Sequence, residues 1–517
     1  MTDQIRRLIE LRDTARVTIA GVVSMFIFGG AATAGPLDDF ARNNGGTSVQ
    51  VDIAEAVQAI CPQLIASFGG LGEVLAAPDS PDKDITLRCN ELVLTAVDFN
   101  DPNAAPSRSL GYTDEDDLLA ALQQVTGEEI ASQNTLTVRA ANSQFSNIAS
   151  RLGALRLAAA GAGTTGPASV FNFDVNNVYA SNDVVSGGAA YAGGGAAADA
   201  PGTIKRGGFF INGSYNTGDR DASDLENAFD FDMLTVTGGF DYRFDTAVLG
   251  VSLGYDDFQS DIQPSPVVSG GSIDADGMSV SLFGLKEFGT FFIDGIVTFG
   301  QLDYEIGRIL QYDSANNDPA CQCPNQDRTI LSITEGDHLS ASINAGWQWY
   351  SNAWLIQPNI GLSFRNYQID GYTELDTEAN GGMELRYGDQ DIDSMRAVAG
   401  IQLSRAYNRN FGVLRPWLSA EWYHEFEDDQ NTLQAKYAQE DILAQTDPGL
   451  GFTDDLVNCL SCFSIASVVP DTDFGVVGAG LSFVFPNFVQ LLFYYEGLVG
   501  YEDLTSNAFT VNLRGQF

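Results

Sequence analysis

Only two histidines, His338 and His424, occur in the 517 residues of this chain. That leaves little material for imidazole-based acid–base catalysis. Neither belongs to a recognisable Ser/His/Asp order. Lysine and arginine number 26 against 68 acids, a formal net charge of −42. Nucleic acids select basic surfaces, so no nucleic-acid partner is expected. Beyond the N-terminus no run of about 18 or more apolar residues appears, which excludes a conventional membrane-spanning helix there. Asp274-Ala275-Asp276-Gly277 opens like a calcium loop but lacks glutamate at the twelfth position. No catalytic residue, metal site or cofactor is expected, and the chain reads as non-enzymatic.

What is present begins with an export signal over 1–34. Arg6, Arg7, Arg12 and Arg16 precede an apolar run from Val17 to Phe28, and Ala32-Thr33-Ala34 supplies the small residues of a cleavage site between Ala34 and Gly35. Residues 35–110 read as a small helical unit, with apolar residues at three- and four-residue spacing over Val51–Phe68 and Ile85–Val97. Each segment carries one cysteine, and a Cys61–Cys89 disulfide is the expected staple in an exported protein. Residues 111–160 are helical again. Leu118, Leu119, Leu122 and Val125 form a stripe, whereas the second part is small and polar and carries Arg139, Arg151 and Arg156. A helix polar almost all round bridges through solvent or lies in a polar cavity. Residues 161–206 are a Gly/Ala-rich linker containing the turn-forming pair Asn176-Asn177.

From Gly207 to the C-terminus, apolar and polar residues alternate in about twelve stretches, the period of a β-strand with two different faces. The last stretch is representative. Phe509, Val511, Leu513 and Phe517 take the apolar face against Thr510, Asn512, Arg514 and Gln516. The strand containing His338–Trp349 places Leu339, Ala341, Ile343, Ala345, Trp347 and Trp349 opposite Ser340, Ser342, Asn344, Gly346 and Gln348, with His338 at the outer rim. Connections alternate long (219–227, 262–270, 307–336, 370–390, 427–471) and short (244–245, 287–289, 351–352, 407–411, 486–487), except that the last, 500–504, is modest where a long one is due. Long loops on one side and short turns on the other are the signature of an antiparallel outer-membrane barrel, and closure satisfies every backbone polar group in lipid. Lipid and lipopolysaccharide are then the surroundings of the outer face. Asp241, Arg243, Asp294, Arg365, Arg396, Arg415, Glu421, Glu496 and Arg514 fall on the polar face and line the lumen. Aromatics near strand ends, among them Phe244, Trp347, Trp349, Trp354 and Trp422, suit interfacial girdles. Cys321 and Cys323 lie in one long loop and Cys459 and Cys462 in another; disulfides within or between these loops are expected, with the pairing open. Acids crowding the long loops keep them soluble or ligate divalent cations that bridge to lipopolysaccharide.

The stretches Gly207–Asp221, Phe229–Phe244 and Val248–Tyr255 and the terminal Phe517 resemble the β-barrel domain of autotransporters, the type V secretion family. Ser143–Arg156 resembles the segment preceding that barrel. The resemblance implies a mainly β protein: a 12-stranded antiparallel transmembrane β-barrel at 207–517, preceded by a small α-helical region and a helix threading the lumen. It also implies Sec export, recognition of the aromatic C-terminal strand by the barrel-assembly machinery, a monomeric barrel, and delivery of an N-terminal passenger to the cell surface. Asn176-Asn177 is similar to the pair at which some members cleave themselves. The long β-helical passenger common in the family is absent, so passenger activities do not carry over. The competing reading is a porin-like diffusion channel with a periplasmic helical accessory.

Overall fold

In the computed structural model the described residues are 35–101, 108–159 and 206–517, less loop positions 224, 266–267, 317–320, 322, 447 and 487–488. The proposed signal segment and Asn176-Asn177 lie outside them. Twelve strands close a barrel: β1 (Gly207–Arg220), β2 (Phe229–Arg243), β3 (Ala247–Ile262), β4 (Gly271–Phe288), β5 (Phe291–Tyr312), β6 (Gln326–Trp347), β7 (Trp354–Ile369), β8 (Gln390–Arg405), β9 (Gly412–Glu425), β10 (Asp473–Val484), β11 (Val489–Val499) and β12 (Asn507–Gln516). Each pairs antiparallel with its sequence neighbour. The last pairs with the first, from Gly208↔Gln516 to Thr217↔Asn507, so the barrel has no free edge in lipid.

The outward residues show where the lipid lies. Along β5 they run Phe291, Ile293, Gly295, Val297 and Phe299, then change to Gln301, Asp303 and Glu305. On β6 the same change falls between Leu339 and Asp337, and on β4 between Met278 and Asp276. Phe291–Phe299 matches the about 9–11 residues of a tilted crossing. The short-turn end carries an aromatic belt, with Phe517 stacked on Phe209 at 5.1 Å between ring centroids and Phe291 against Trp347 at 5.1 Å. Phe509, Val511, Leu513 and Phe517 all point outward and are exposed.

β5 and β6 correct the sequence reading. The expected long loop 307–336 is mostly strand, and only 313–325 connects the two. Ile306, Arg308, Leu310, Tyr312, Arg328 and Ile330 of this extension are buried inward. The extension persists because its inner face has a partner, the N-terminal helices. His338 consequently lies in mid-strand, not at a solvated rim. It is 3% exposed, faces inward and sits 6.1 Å from the Tyr367 ring. His424 does end a strand, outward-facing, with Nδ1 3.0 Å from an Asp473 carboxylate oxygen.

The N-terminal helices are α1 (Pro36–Asn43), α2 (Ser48–Ser67), α3 (Leu71–Ala76), α4 (Pro81–Asn100), α5 (Glu115–Thr126) and α6 (Ser132–Ala159). Thr47 caps α2 with a reciprocal Gln50 contact, and Ser80 caps α4. Cys61 of α2 is bonded to Cys89 of α4. α5 ends at Gly127, whose φ of 65° is a left-handed conformation glycine adopts without penalty; the chain then turns into α6.

Helices α1–α5 do not form a separate body. Leu37, Ile53, Ile60, Leu92, Leu118 and Leu122 share one hydrophobic core with Phe231, Leu302, Leu310, Ile330 and Ile369 of the long-loop end of the barrel. Two long loops contribute a three-stranded sheet, Leu385–Tyr387, Thr432–Tyr437 and Phe463–Ala466, and its buried residues join that core. The helices therefore cap the mouth bounded by the long loops. The remaining cysteines pair within their own loops, Cys321 with Cys323 and Cys459 with Cys462.

Candidate functional site

The site with the most concentrated chemistry is the lumen, which α6 traverses from the capped mouth to the short-turn end. Contacts made in order along the helix show its course. Gln133 accepts a 2.9 Å hydrogen bond from the Gln390 amide, and Thr135 donates to Glu226 at 3.0 Å. The Thr137 hydroxyl lies 3.1 Å from that of Tyr304. Deeper in, Thr237 donates to Gln144, Asn147 donates to Thr237 at 3.1 Å, and Asn212 donates to the Asn147 carbonyl at 2.9 Å. At the short-turn end Arg151 is ion-paired with Asp241, and Arg156 with Asp294. A side chain on Gly254 would meet Gln144 at 2.3 Å, so the barrel wall is recessed there to admit the helix.

Packing explains why the helix lies to one side. Ile148, Leu152 and Leu155 recur at four- and three-residue spacing, one face of a helix. They are buried against Phe210, Val248, Phe283, Leu285, Phe292 and Ile296, all from β1–β5. Arg151 and Arg156 stack on rings at the same wall, 5.1 Å from the centroid of Phe210 and 4.8 Å from that of Phe292. The opposite helix face is small and polar (Ser146, Ala149, Ser150, Gly153) and looks across a cavity of about 310 Å³ at β7–β12.

The nine lumen residues expected from sequence all lie on inward positions of their strands. Asp241 is the shared partner of Arg151 and Arg514, the latter at 3.0 Å. Arg243 stands two positions beyond on the same face of β2, 4.0 Å from Glu287. Asp294 holds Arg156. Arg365, Arg396, Glu421 and Glu496 line the cavity. Arg365 lies 5.2 Å from the Phe145 ring, Arg396 donates to Glu425 at 2.6 Å, Glu421 accepts from Tyr423, and Glu496 accepts from Ser146 at 3.3 Å. Arg415 is buried near the short-turn end, outside this set. Gln144, Asn147, Asn212 and Thr237 were not identified from sequence, since a polar residue on a polar strand face gives no signal of its own. The triad Ile148/Leu152/Leu155 did give one, in its spacing.

A second group of contacts ties the cap to the mouth. Arg328 of β6 donates to both carboxylate oxygens of Asp84 on α4, at 2.6 and 2.9 Å, and to Asp376 at 3.0 Å. Arg308 of β5 donates to Glu374 and to the Gln124 carbonyl of α5. Tyr112 donates to the Asp313 carbonyl at 2.6 Å and Asn316 to the Ser109 carbonyl at 2.7 Å. Glu91, fully buried inside the cap, is ion-paired with Arg88 and Arg108. Burial outweighs the two guanidinium groups and pushes its carboxyl up from 4.5 to about 7. The folded cap therefore holds a proton that the unfolded chain releases between those values. This contribution to stability is full below about 4.5 and is lost as pH rises through about 7. The thermal midpoint of the helical signal at 222 nm is expected to fall between pH 5 and pH 8. Glu91→Gln, which cannot titrate, should flatten that slope; an unchanged slope in the variant would assign it elsewhere.

A closed antiparallel barrel with an apolar outside and a polar, helix-filled lumen defines an integral β-barrel of the outer membrane. The family model described as "Autotransporter beta-domain" matches residues 209–449, so the barrel region carries an autotransporter β-domain. A β-domain of this kind implies, in general, Sec export and insertion by the barrel-assembly machinery, and it makes the barrel a transport unit. Among solved structures the chain is similar to the translocator domain of the autotransporter NalP from Neisseria meningitidis, at 12% identity over 61% of this chain and 90% of that one, with a TM-score of 0.43. It is also similar to the β domain of the Bordetella autotransporter BrkA, at 13% identity over 60% of this chain and 100% of that one, with a TM-score of 0.39. Serotype-specific antigen 1 of Mannheimia haemolytica is 25% identical over 91 residues, 18% of this chain. The match takes in only 9% of that protein's length.

Proposed function

We propose that the barrel carries residues 35–126 to the cell surface and keeps them there as a non-enzymatic cap anchored through α6, rather than releasing them as a free passenger. The observation that carries this reading is the continuous core between α1–α5 and the long-loop end of the barrel. The Arg328–Asp84 bidentate pair fixes its orientation. A passenger built for release would present a polar surface to the mouth; here Leu118, Leu122 and Ile130 are fully or almost fully buried against it. Cys61–Cys89 braces a unit too small to be stable by its core alone. A diffusion channel is the second reading, and the cavity beside α6 is what favours it. The test is the fate of an epitope placed after Gly35. In outer membranes denatured by heat it should migrate with the C-terminus as one polypeptide, and none should reach the medium. A separate N-terminal fragment in the medium would contradict retention.

A further inference from the structure

The outer wall of the barrel is not uniformly convex. On the lipid-facing side between β7 and β12 lies an almost wholly apolar groove of about 800 Å³. Its floor is low because small side chains, Pro416 of β9 and Ala479 of β10, stand at outward positions there. One bank is raised by Trp354 and Tyr407, the other by Phe493 and Phe509. A hollow of this kind in a membrane-spanning surface fills with hydrocarbon, because water has no access and a void forfeits dispersion contacts.

The foot of the groove has different chemistry. Arg405, the last residue of β8, faces outward at the short-turn end. Its guanidinium lies 5.2 Å from the centroid of Trp354 and 5.1 Å from that of Tyr407. Arg409, at the end of the short strand Tyr407–Arg409 that pairs with β9, lies 5.6 Å from the same Tyr407 ring. Among the described residues neither arginine has a carboxylate partner, and the Arg405 Nε atom, itself buried, meets no hydrogen-bond acceptor. In a chain with only 26 basic residues against 68 acids, two arginines side by side with no acid between them are conspicuous. By contrast, the buried arginines Arg88, Arg108, Arg151, Arg308, Arg328 and Arg514 each face a carboxylate. Trp354 and Tyr407 orient the Arg405 fork at headgroup depth without neutralising it.

We propose that this groove is a binding site for one glycerophospholipid with an anionic headgroup, drawn from the leaflet at the short-turn side. One acyl chain lies over Pro416 and Ala479, and the phosphate accepts hydrogen bonds from Arg405 and Arg409. The charge complementarity and the continuity of the groove with the lipid-facing belt both select a lipid over a soluble anion. A guanidinium fork matches phosphate oxygens, whereas an apolar trough has nothing to offer a free phosphate ion.

The test is native mass spectrometry of the full chain in detergent, titrated with phosphatidylglycerol or with phosphatidylcholine of the same acyl chains. One phosphatidylglycerol should be retained per barrel, about tenfold more tightly than phosphatidylcholine, the effect expected of two basic side chains at headgroup depth. The double variant Arg405→Gln/Arg409→Gln should erase the preference while leaving weak binding of both lipids. Ala479→Phe, which fills the groove from a lipid-facing position, should lower retention of both. Each variant is scored only after its heat-modifiable electrophoretic mobility matches that of the parent chain. Equal retention of the two lipids, unchanged in both variants, would identify ordinary annular lipid and overturn the site. Displacement of phosphatidylglycerol by millimolar inorganic phosphate would overturn it as a lipid site and leave a headgroup-only anion contact.

Discussion

Deleting residues 35–157 should convert a nearly closed barrel into a steadily conducting pore in planar bilayers. Eight strands enclose only their own side chains and sixteen leave a wide channel; twelve fall between. The lumen here is large enough to hold one helix, whose diameter with side chains is about 10–12 Å, plus the residual cavity of about 310 Å³ beside it. The closure is therefore due mainly to α6. A shorter deletion of 35–131 removes the cap but leaves the helix, with Ile148, Leu152 and Leu155 still packed on the β1–β5 wall, and its conductance should stay low. If the two deletions conduct equally, the cap and not the helix is the barrier. If neither exceeds the full chain, α6 does not occlude the lumen.

Substituting Asp241 should cost nearly as much as any single change in the barrel. Its carboxylate serves Arg151 of the helix and Arg514 of the last strand, and all three side chains are almost fully buried. Asp241→Leu leaves two guanidinium groups without their counter-charge, a loss of about 3–5 kcal/mol for a broken buried pair. The expected results are a lower urea midpoint for the folded barrel in detergent micelles and increased protease cleavage of α6. The charges matter through their mutual compensation, so Asp241→Leu combined with Arg151→Met and Arg514→Met should recover most of the loss. Failure of the triple variant to recover would mean that Asp241 acts through something other than these two arginines.

How much of this was legible in the sequence follows from how far each interaction reaches. Strand alternation is local, and the two faces of Phe509–Phe517 could be read from nine consecutive residues. The sorting of connections into long and short gave the two sides of the membrane. The nine inward charges followed from parity along each strand. The β5–β6 extension was not readable because Asp303, Glu305, Asp327 and Glu335 resemble loop residues until the inner face, with Leu310, Tyr312 and Ile330, is seen to have a partner. That partner is remote, since Asp84 and Arg328 are 244 positions apart. The lumen helix was ambiguous for the same reason. Its polar surface suited a solvated linker as well as a polar cavity, and only the wall built by β1–β5 gives Ile148, Leu152 and Leu155 their role. The break at Gly127, which assigns α5 to the cap and α6 to the lumen, was hidden inside one continuous helical pattern from Glu115 to Leu157.

The orientation of the whole assembly rests on α6 entering the lumen from the long-loop side, and one labelling experiment measures it. The six native cysteines are bonded in pairs, so a single cysteine can be introduced at Glu73, exposed on α3, or at Asp245, exposed in the β2–β3 turn. On intact cells a membrane-impermeant maleimide should label Glu73→Cys and spare Asp245→Cys until the outer membrane is permeabilised. Labelling of Asp245→Cys with protection of Glu73→Cys would place the helical unit on the periplasmic side and contradict surface delivery.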